Sequence, residues 1–384
     1  MVRTVKLKNT SAPSSRLLFA ASDQNANILY ATRFFAPDPF IYVLHKGKSC
    51  VILSDLELDR GRREARVDRV ISYTELASQV REKNQPAPSQ NKVLAFYLKK
   101  QGISQVEVPE DFPLSIAEAL RKARISIKCI SEPFWPEREI KTVEEVRHLR
   151  EALEMTQAAM QRAFEVLRAT KIGRNGILRW GNVPLTSERL RTEIEMCIVS
   201  HGGVASNHSI VAGGEQAIDP HEKGNGPLFA HQLIILDIFP RHATSGYFGD
   251  LTRTVVRGRA TDAQQHLWEI CLRGQKWAFS QIRPGVSGQI IQESLKSFFA
   301  QNGYPTEQRG GRWSGFFHGA GHGLGLEIHE YPRFVATQFV PHQVLTLEPG
   351  IYVPGLGGVR HEDVLQVTHT GKRILTSLPK PLEL

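Results

Sequence analysis

The run Leu233-Ile-Ile-Leu-Asp237-Ile-Phe239 is apolar at every position but one. A continuous apolar stretch of this kind reads as a buried strand. An ionised carboxylate inside it costs several kcal/mol unless a cation or hydrogen-bond donors compensate it. Val344-Leu-Thr-Leu-Glu348-Pro-Gly-Ile-Tyr-Val353 repeats the arrangement with Glu348. A turn cap or an arginine partner accounts for either acid alone. Two acids set into apolar runs need a shared explanation.

Two further segments carry acids. Gly246-Tyr-Phe-Gly-Asp250-Leu-Thr-Arg-Thr254 is a hairpin return, and Gly357-Gly-Val-Arg-His361-Glu362-Asp363 follows Glu348 closely. Between them lies Gly319-Ala-Gly-His322-Gly-Leu-Gly-Leu-Glu-Ile-His329-Glu330. Its glycines forbid a stable helix and permit unusual dihedrals or close approach of another group. His322 and His329 are an odd number of residues apart. On one straight strand they face opposite sides, so both serve one site only if the chain bends between them. Asp237, Asp250, His322, Glu348 and Glu362 make four carboxylates and one imidazole. That set suits a pair of divalent ions such as Mn²⁺, Co²⁺ or Zn²⁺.

Competing chemistries lack their motifs. No His-Glu pair continues to HExxH, Gly285-Val-Ser287-Gly-Gln misses the last glycine of GxSxG, and no P-loop occurs. Leucines interrupt the glycine run where GxGxxG needs its third glycine. A dinuclear metal hydrolase survives.

Along the chain, Pro133-Phe-Trp-Pro136 fixes two φ angles and marks a domain boundary, giving domains 1–135 and 136–384. In the first, residues 28–35, 40–45, 50–54, 67–73, 92–98 and 125–130 read as strands and 114–123 as a helix. In the second, Thr142-Val-Glu-Glu145 has capping-box spacing and opens a long amphipathic helix. Further helices are expected at 186–199, 262–281 and 288–301, and strands at 233–239, 251–256, 344–347 and 364–368. Helices and strands cluster rather than alternate, which favours α+β.

Composition narrows the class. The 384 residues are 41% hydrophobic and 23% charged, as expected of a globular chain of two or three domains. No apolar run approaches the ~18 residues of a membrane span, and Leu17–Ala21 is too short for a secretory core. Cys50, Cys129, Cys197 and Cys271 are far apart and read as reduced thiols of a cytoplasmic protein. The net charge of +9 invites nucleic acid. The densest basic patch (Arg60, Arg62, Arg63, Arg66, Arg69) is interleaved with Asp59, Glu64 and Asp68, however, and reads as a solvated face. No nucleic-acid or membrane partner is expected.

Taken together, Ile218-Asp-Pro-His221, residues 236–254, 321–333, 346–352 and 358–363 resemble the M24 "pita-bread" metallopeptidases. The likeness is to the branch of Xaa-Pro dipeptidases (prolidases) and aminopeptidases P. It implies a creatinase-like N-terminal domain before a pita-bread catalytic domain. It makes Asp237, Asp250, His322, Glu348 and Glu362 the ligands of two divalent ions, most commonly Mn²⁺. In that scheme Asp250 and Glu362 bridge the ions and Glu348 takes a proton from the attacking water. His221 and His329 contact the substrate and steady the tetrahedral intermediate. Outside that scheme, Arg333 reads either as a clamp for a dipeptide carboxylate, which its fork suits, or as a loop arginine in solvent, and Arg360 beside Glu362 reads as orienting ligands. A peptide with proline second is the implied substrate and a homodimer the implied assembly. A methionine-aminopeptidase-like enzyme would share the five ligands but not the extra first domain. A silent relative used as a binding module would lack several of them. Two departures stand out. Asp237 and Asp250 are two residues further apart than is usual, with Thr244 and Ser245 near the insertion. Phe239-Pro240 replaces a glycine and a small residue, which implies a narrowed pocket.

Overall fold

The computed structural model describes residues 15–81, 87–205, 208–335 and 337–384. They fall into two units that divide between Pro136 and Glu137. No described helix is long and apolar enough to cross a membrane.

In the first unit, six strands form one mixed sheet. Their order is Arg69–Ser72, Lys48–Leu53, Phe40–His45, Ser15–Ala20, Gln105–Pro109 and Ser126–Ile130. Alternate residues feed opposite faces, as a two-residue period requires. Leu17, Ile41, Val43 and Ile52 pack with Val93, Leu94 and Leu98. Leu18, Phe40, Tyr42 and Val51 pack with Ile28, Phe34 and Trp135 on the other face. The Trp135 indole also donates to the Asn27 carbonyl (3.0 Å), drawing the Pro-Phe-Trp-Pro segment into this core.

Two stretches expected as strands are helices. Residues 28–35 lie largely in the helix Ala26–Thr32, because the Asn25 side chain accepts from Ile28 N and caps the first turn. Residues 92–98 belong to the helix Gln90–Lys100, where Val93, Leu94, Tyr97 and Leu98 share one buried face. Spacings of three and four outweigh a short apolar run.

The second unit begins with the helix Val143–Arg168, whose capping box uses Thr142 and Glu145. Ser187–Ser200 packs beside it. Both cover an antiparallel sheet ordered Ile210–Gly213, Leu233–Ile238, Leu251–Val256. Ile234, Leu236 and Ile238 point into that helix-facing core, so Asp237 points the other way. A second sheet is ordered Glu330–Arg333, His322–Gly323, Val344–Leu347, Asp363–Val367, Lys372–Ile374. The helices Asp262–Gln281 and Gly288–Gln301 pack on it through Leu267, Ile270, Leu295 and Phe299. Each sheet thus has one face taken by helices and one left for the acids.

The glycine run serves close approach rather than unusual dihedrals. A Cβ on Gly321 would lie 2.2 Å from Thr346 O, and one on Gly323 would lie 2.2 Å from Tyr331 O. A Cβ on Gly319 would meet nothing nearer than Gly321 O at 3.8 Å. Gly323→Ala should therefore destabilise the protein by about 1–3 kcal/mol through backbone overpacking, while Gly319→Ala leaves its melting temperature near that of the parent. Thermal denaturation of the two variants side by side checks the contrast.

Candidate metal centre

Asp237 sits near the end of a central strand, opposite Ile210 on one side and Thr252 on the other. Asp250 immediately precedes the neighbouring strand Leu251–Val256. The longer connection between them is absorbed in a turn, where Gly246 N donates to His242 O and His242 N to Tyr247 O. The two strands stay in register from Leu233–Val256 to Ile238–Leu251. Glu362 comes from the other sheet's approach, held by Glu362 N donating to Thr252 O (3.1 Å). The Thr252 hydroxyl donates to Glu362 Oε2 (2.8 Å).

His322 lies where the chain bends back. His322 pairs with Arg333 and Gly323 with Glu330, with a register shift between the two pairs. The His322 and His329 rings consequently meet edge to face, with centroids 4.5 Å apart. His322 Nδ1 lies 3.1 Å from Gly323 O. A carbonyl only accepts, so the proton is assigned to Nδ1 and the Nε2 lone pair faces inward. It faces Glu348 Oε1 at 3.3 Å and Asp250 Oδ2 at 3.6 Å. Without a metal ion a proton on Nε2 sits between these groups; with a divalent cation in that place the Nε2 lone pair becomes a ligand. Ligating atoms of Asp250, His322 and Glu362 all lie within 4.8 Å of one another.

The electrostatics agree. Burial, then repulsion from neighbouring acids (Glu362 first for Asp250, Glu348 first for Glu362), pushes both well above the usual carboxylate range. Burial also raises Asp237, against the pull of Arg360. Burial pushes Glu348 upward too, but the His322 hydrogen bond and charge outweigh it and hold Glu348 down at about 2. Among the described residues, the buried Asp237 Oδ1 has no hydrogen-bond partner. An orphaned carboxylate oxygen, a crowded acid pair and an inward imidazole lone pair fit divalent cations.

Arginines brace this cluster. Arg360 donates to Asp237 Oδ2 (2.7 Å) and to Tyr352 Oη (2.8 Å). The fully buried Arg253 donates to Thr252 O, Glu362 O and Asp363 Oδ1, tying Asp250's strand to Glu362's. Sequence reasoning missed Arg253, and also His318, whose Nε2 lies 2.9 Å from Tyr352 Oη. Burial lowers the His318 pKa to about 4. The signal was available: His318 opens the same glycine run.

The five residues line one cavity of about 720 Å³, together with His221, His329 and Arg333. Burial, reinforced by His322, lowers His329 to about 4, so its ring is neutral at physiological pH. Arg333 Nη2 donates to His329 O (2.7 Å).

Residues 147–369 match the model of metallopeptidase family M24. The chain belongs to metallopeptidase family M24. It is 28% identical over 308 residues to an Xaa-Pro dipeptidase of Pyrococcus horikoshii, covering 78% of this chain and 81% of that one. Its fold is similar to an Xaa-Pro dipeptidase from Bacillus anthracis (TM-score 0.80, 24% identity, 97% and 95% of the two chains). It is also similar to an X-Pro aminopeptidase from Thermotoga maritima (TM-score 0.79, 21% identity, 97% of both). The expected architecture, a mixed α/β first domain before a pita-bread domain, is the one these M24 neighbours share.

In this M24 chain the residue after His329 anchors the cavity-lining loop. Glu330 is buried and bonded to Lys141 Nζ (2.5 Å) and to Arg138 (2.6 Å), which also reaches Glu327. Burial pushes Glu330 upward, but the two cations outweigh it and leave its pKa below the usual value. A carboxylate with a depressed folded pKa adds stability that is present above its unfolded pKa and lost as pH falls through the folded one. Stability should therefore drop as pH falls below about 4.5. Glu330→Gln should cost about 3–5 kcal/mol at neutral pH and flatten that acid-side fall, as read from melting temperatures between pH 3 and 7.

Proposed function

We propose that this protein is a dinuclear metal-dependent exopeptidase that hydrolyses the bond between an N-terminal residue and a following proline. The observation carrying the reading is the convergence of Asp237, Asp250, His322, Glu348 and Glu362, from five separate segments, on one cavity. We assign these five as ligands of two divalent ions. Mn²⁺ is the preferred metal, with Co²⁺ or Zn²⁺ as substitutes, since oxygen-rich sites with one imidazole accept all three. When bound, such ions polarise the scissile carbonyl and lower the pKa of water.

The chain's own groups supply the rest. Glu348 is ionised at neutral pH and accepts the proton released by the attacking water. A neutral His329 offers one N–H donor to the developing oxyanion. His221, on the cavity wall, is assigned the same stabilising role from the other side of the scissile bond. The Arg333 fork suits a free carboxylate beyond proline. The unit ending at Pro136 is read as the creatinase-like domain of residues 1–135, which a methionine-aminopeptidase-like enzyme would lack. Family likeness supports a homodimer working in the cytoplasm.

Cleavage of Ala-Pro and Ala-Pro-Ala, each with Mn²⁺ and with chelator, tests the reading. Metal-dependent release of alanine from the dipeptide alone identifies a dipeptidase, and release from the tripeptide an aminopeptidase P. No release from either overturns the proposal. In a dipeptidase, Arg333→Ala should raise KM for dipeptides at least tenfold.

The metal assignment has its own signature. The raised pKa values of Asp237, Asp250 and Glu362 mean that the metal-free fold favours their protonated forms. Groups of this kind stabilise at low pH and lose that contribution as pH rises through the folded pKa. Mn²⁺ should therefore raise the melting temperature more at pH 8 than at pH 5. Asp250→Ala and Glu362→Ala should abolish the Mn²⁺ shift at pH 8; a full shift in either removes that residue from the ligand set.

A further inference from the structure

The first unit holds a cavity of its own, on the sheet face that packs against the helix Gln90–Lys100. Cys50 stands opposite Val43 on one neighbouring strand and opposite Arg69 on the other, while His45 stands opposite Lys48. Partners in a ladder share a face, and so do residues two apart on one strand. All these side chains therefore leave the same side of the sheet. Part of that face is covered by Val93, Leu94 and Leu98 of the helix. Toward the turn Lys46-Gly47, which joins the strands Phe40–His45 and Lys48–Leu53, a space of about 470 Å³ opens instead. Tyr97 and Gln101, at the C-terminal end of the helix, close its other side.

The floor of this cavity is neutral. Cys50 Sγ and Tyr97 Oη lie 2.9 Å apart, where one donates to the other, and burial raises the pKa of both. His45 Nδ1 lies 2.7 Å from Ser15 Oγ. Burial, reinforced by the charge of Lys46, lowers the pKa of His45, so its ring is uncharged at neutral pH. The rim is basic. Lys46, Lys48 and Arg69 line it against a single acid, Asp68. Asp68 already accepts from Ser49 N (2.8 Å) and Ser49 Oγ (2.9 Å), with Lys48 Nζ 3.5 Å away. Among the described residues, Lys46 and Arg69 have no acid partner. The Arg69 charge also reaches the floor, where it opposes the rise of both Cys50 and Tyr97. The cavity thus carries a surplus of two positive charges, one of them a fork-shaped guanidinium.

We propose that this cavity binds a phosphomonoester. Arg69 takes the phosphoryl group, Lys46 and Lys48 complete its neutralisation, and the organic part lies against Val43 and Tyr97. A phosphomonoester carries close to two negative charges at neutral pH and accepts a guanidinium bidentately. A space of this size holds a small organic body as well. The residues lining it are all distinct from those of the metal centre. The proposal therefore stands independently of the peptidase reading.

The test is isothermal titration calorimetry of the full protein, loaded with Mn²⁺ and freed of excess metal. The buffer holds ~150 mM NaCl, which largely screens exposed charges. Phenyl phosphate, inorganic phosphate and benzoate are the probes. Phenyl phosphate should bind saturably and roughly tenfold tighter than benzoate, whose single charge leaves part of the surplus unmet. It should also bind tighter than inorganic phosphate, which has no organic body. Arg69→Gln should weaken phenyl phosphate roughly tenfold, and Lys46→Gln about threefold. Arg69→Lys keeps the charge but loses the fork, and should fall between the parent and Arg69→Gln. All three variants should keep the parent's melting temperature, because both side chains are exposed. A parent that binds no phenyl phosphate saturably overturns the proposal, as does benzoate binding equally tightly. So does undiminished phenyl phosphate binding in Arg69→Gln, since the ester would then sit elsewhere, at the metal ions.

Discussion

Four carboxylates and an imidazole crowd into one buried cavity, where only protons or metal cations can offset their repulsion. The structure displays the conflict directly. Asp250 and Glu362 are driven toward protonation by burial and by the charges of neighbouring acids. Asp237 Oδ1 has no hydrogen-bond partner among the described residues, and His322 Nε2 faces two acid oxygens. In a low-dielectric site, repulsion of that kind costs far more than packing alone returns. Divalent ions resolve it, and the surrounding fold reads as apparatus for keeping the acids together until they bind.

That apparatus is built from hydrogen bonds to backbone and from buried arginines. Arg253 grips Glu362 O and Thr252 O, so the two sheets cannot slide relative to each other without exposing a buried guanidinium. Arg360 shares itself between Asp237 and Tyr352. Glycines let strands approach where any side chain would collide. The loop carrying His329 and Arg333 is tied by Glu330 to Lys141 and Arg138, at the entrance to the long helix. Chemistry and stability thus share residues, and a change at the bracing positions reaches the site through the backbone.

Much of the site was legible in the chain because burying a charge is costly enough to leave a mark. Asp237 and Glu348 stood out as lone acids in apolar runs, and their strands appear where the pattern places them, as Leu233–Ile238 and Val344–Leu347. The bend between His322 and His329 followed from their odd spacing, and the register shift at His322–Gly323 provides it. The first unit was harder. Asn25 and Ser89 precede short helices whose apolar faces resemble strand runs over six or seven residues. Over so few positions, periods of 2 and 3.6 are barely distinguishable.

The sequence by itself determined which residues had to be buried, where the glycines and prolines punctuate the chain, and which side chains could hold metal. Those properties are local: transfer cost, dihedral freedom and donor type belong to each residue. Only the tertiary structure decided that residues as distant as Asp237 and Glu362 share one cavity of about 720 Å³. It alone brought His318 to Tyr352, set Arg253 between two sheets, and turned Phe239 onto a wall beside Asp237. Such pairings depend on strand register and on sheet-to-sheet packing, which are set by the whole core at once. No local pattern encodes the distance between two segments that meet only after both sheets have formed.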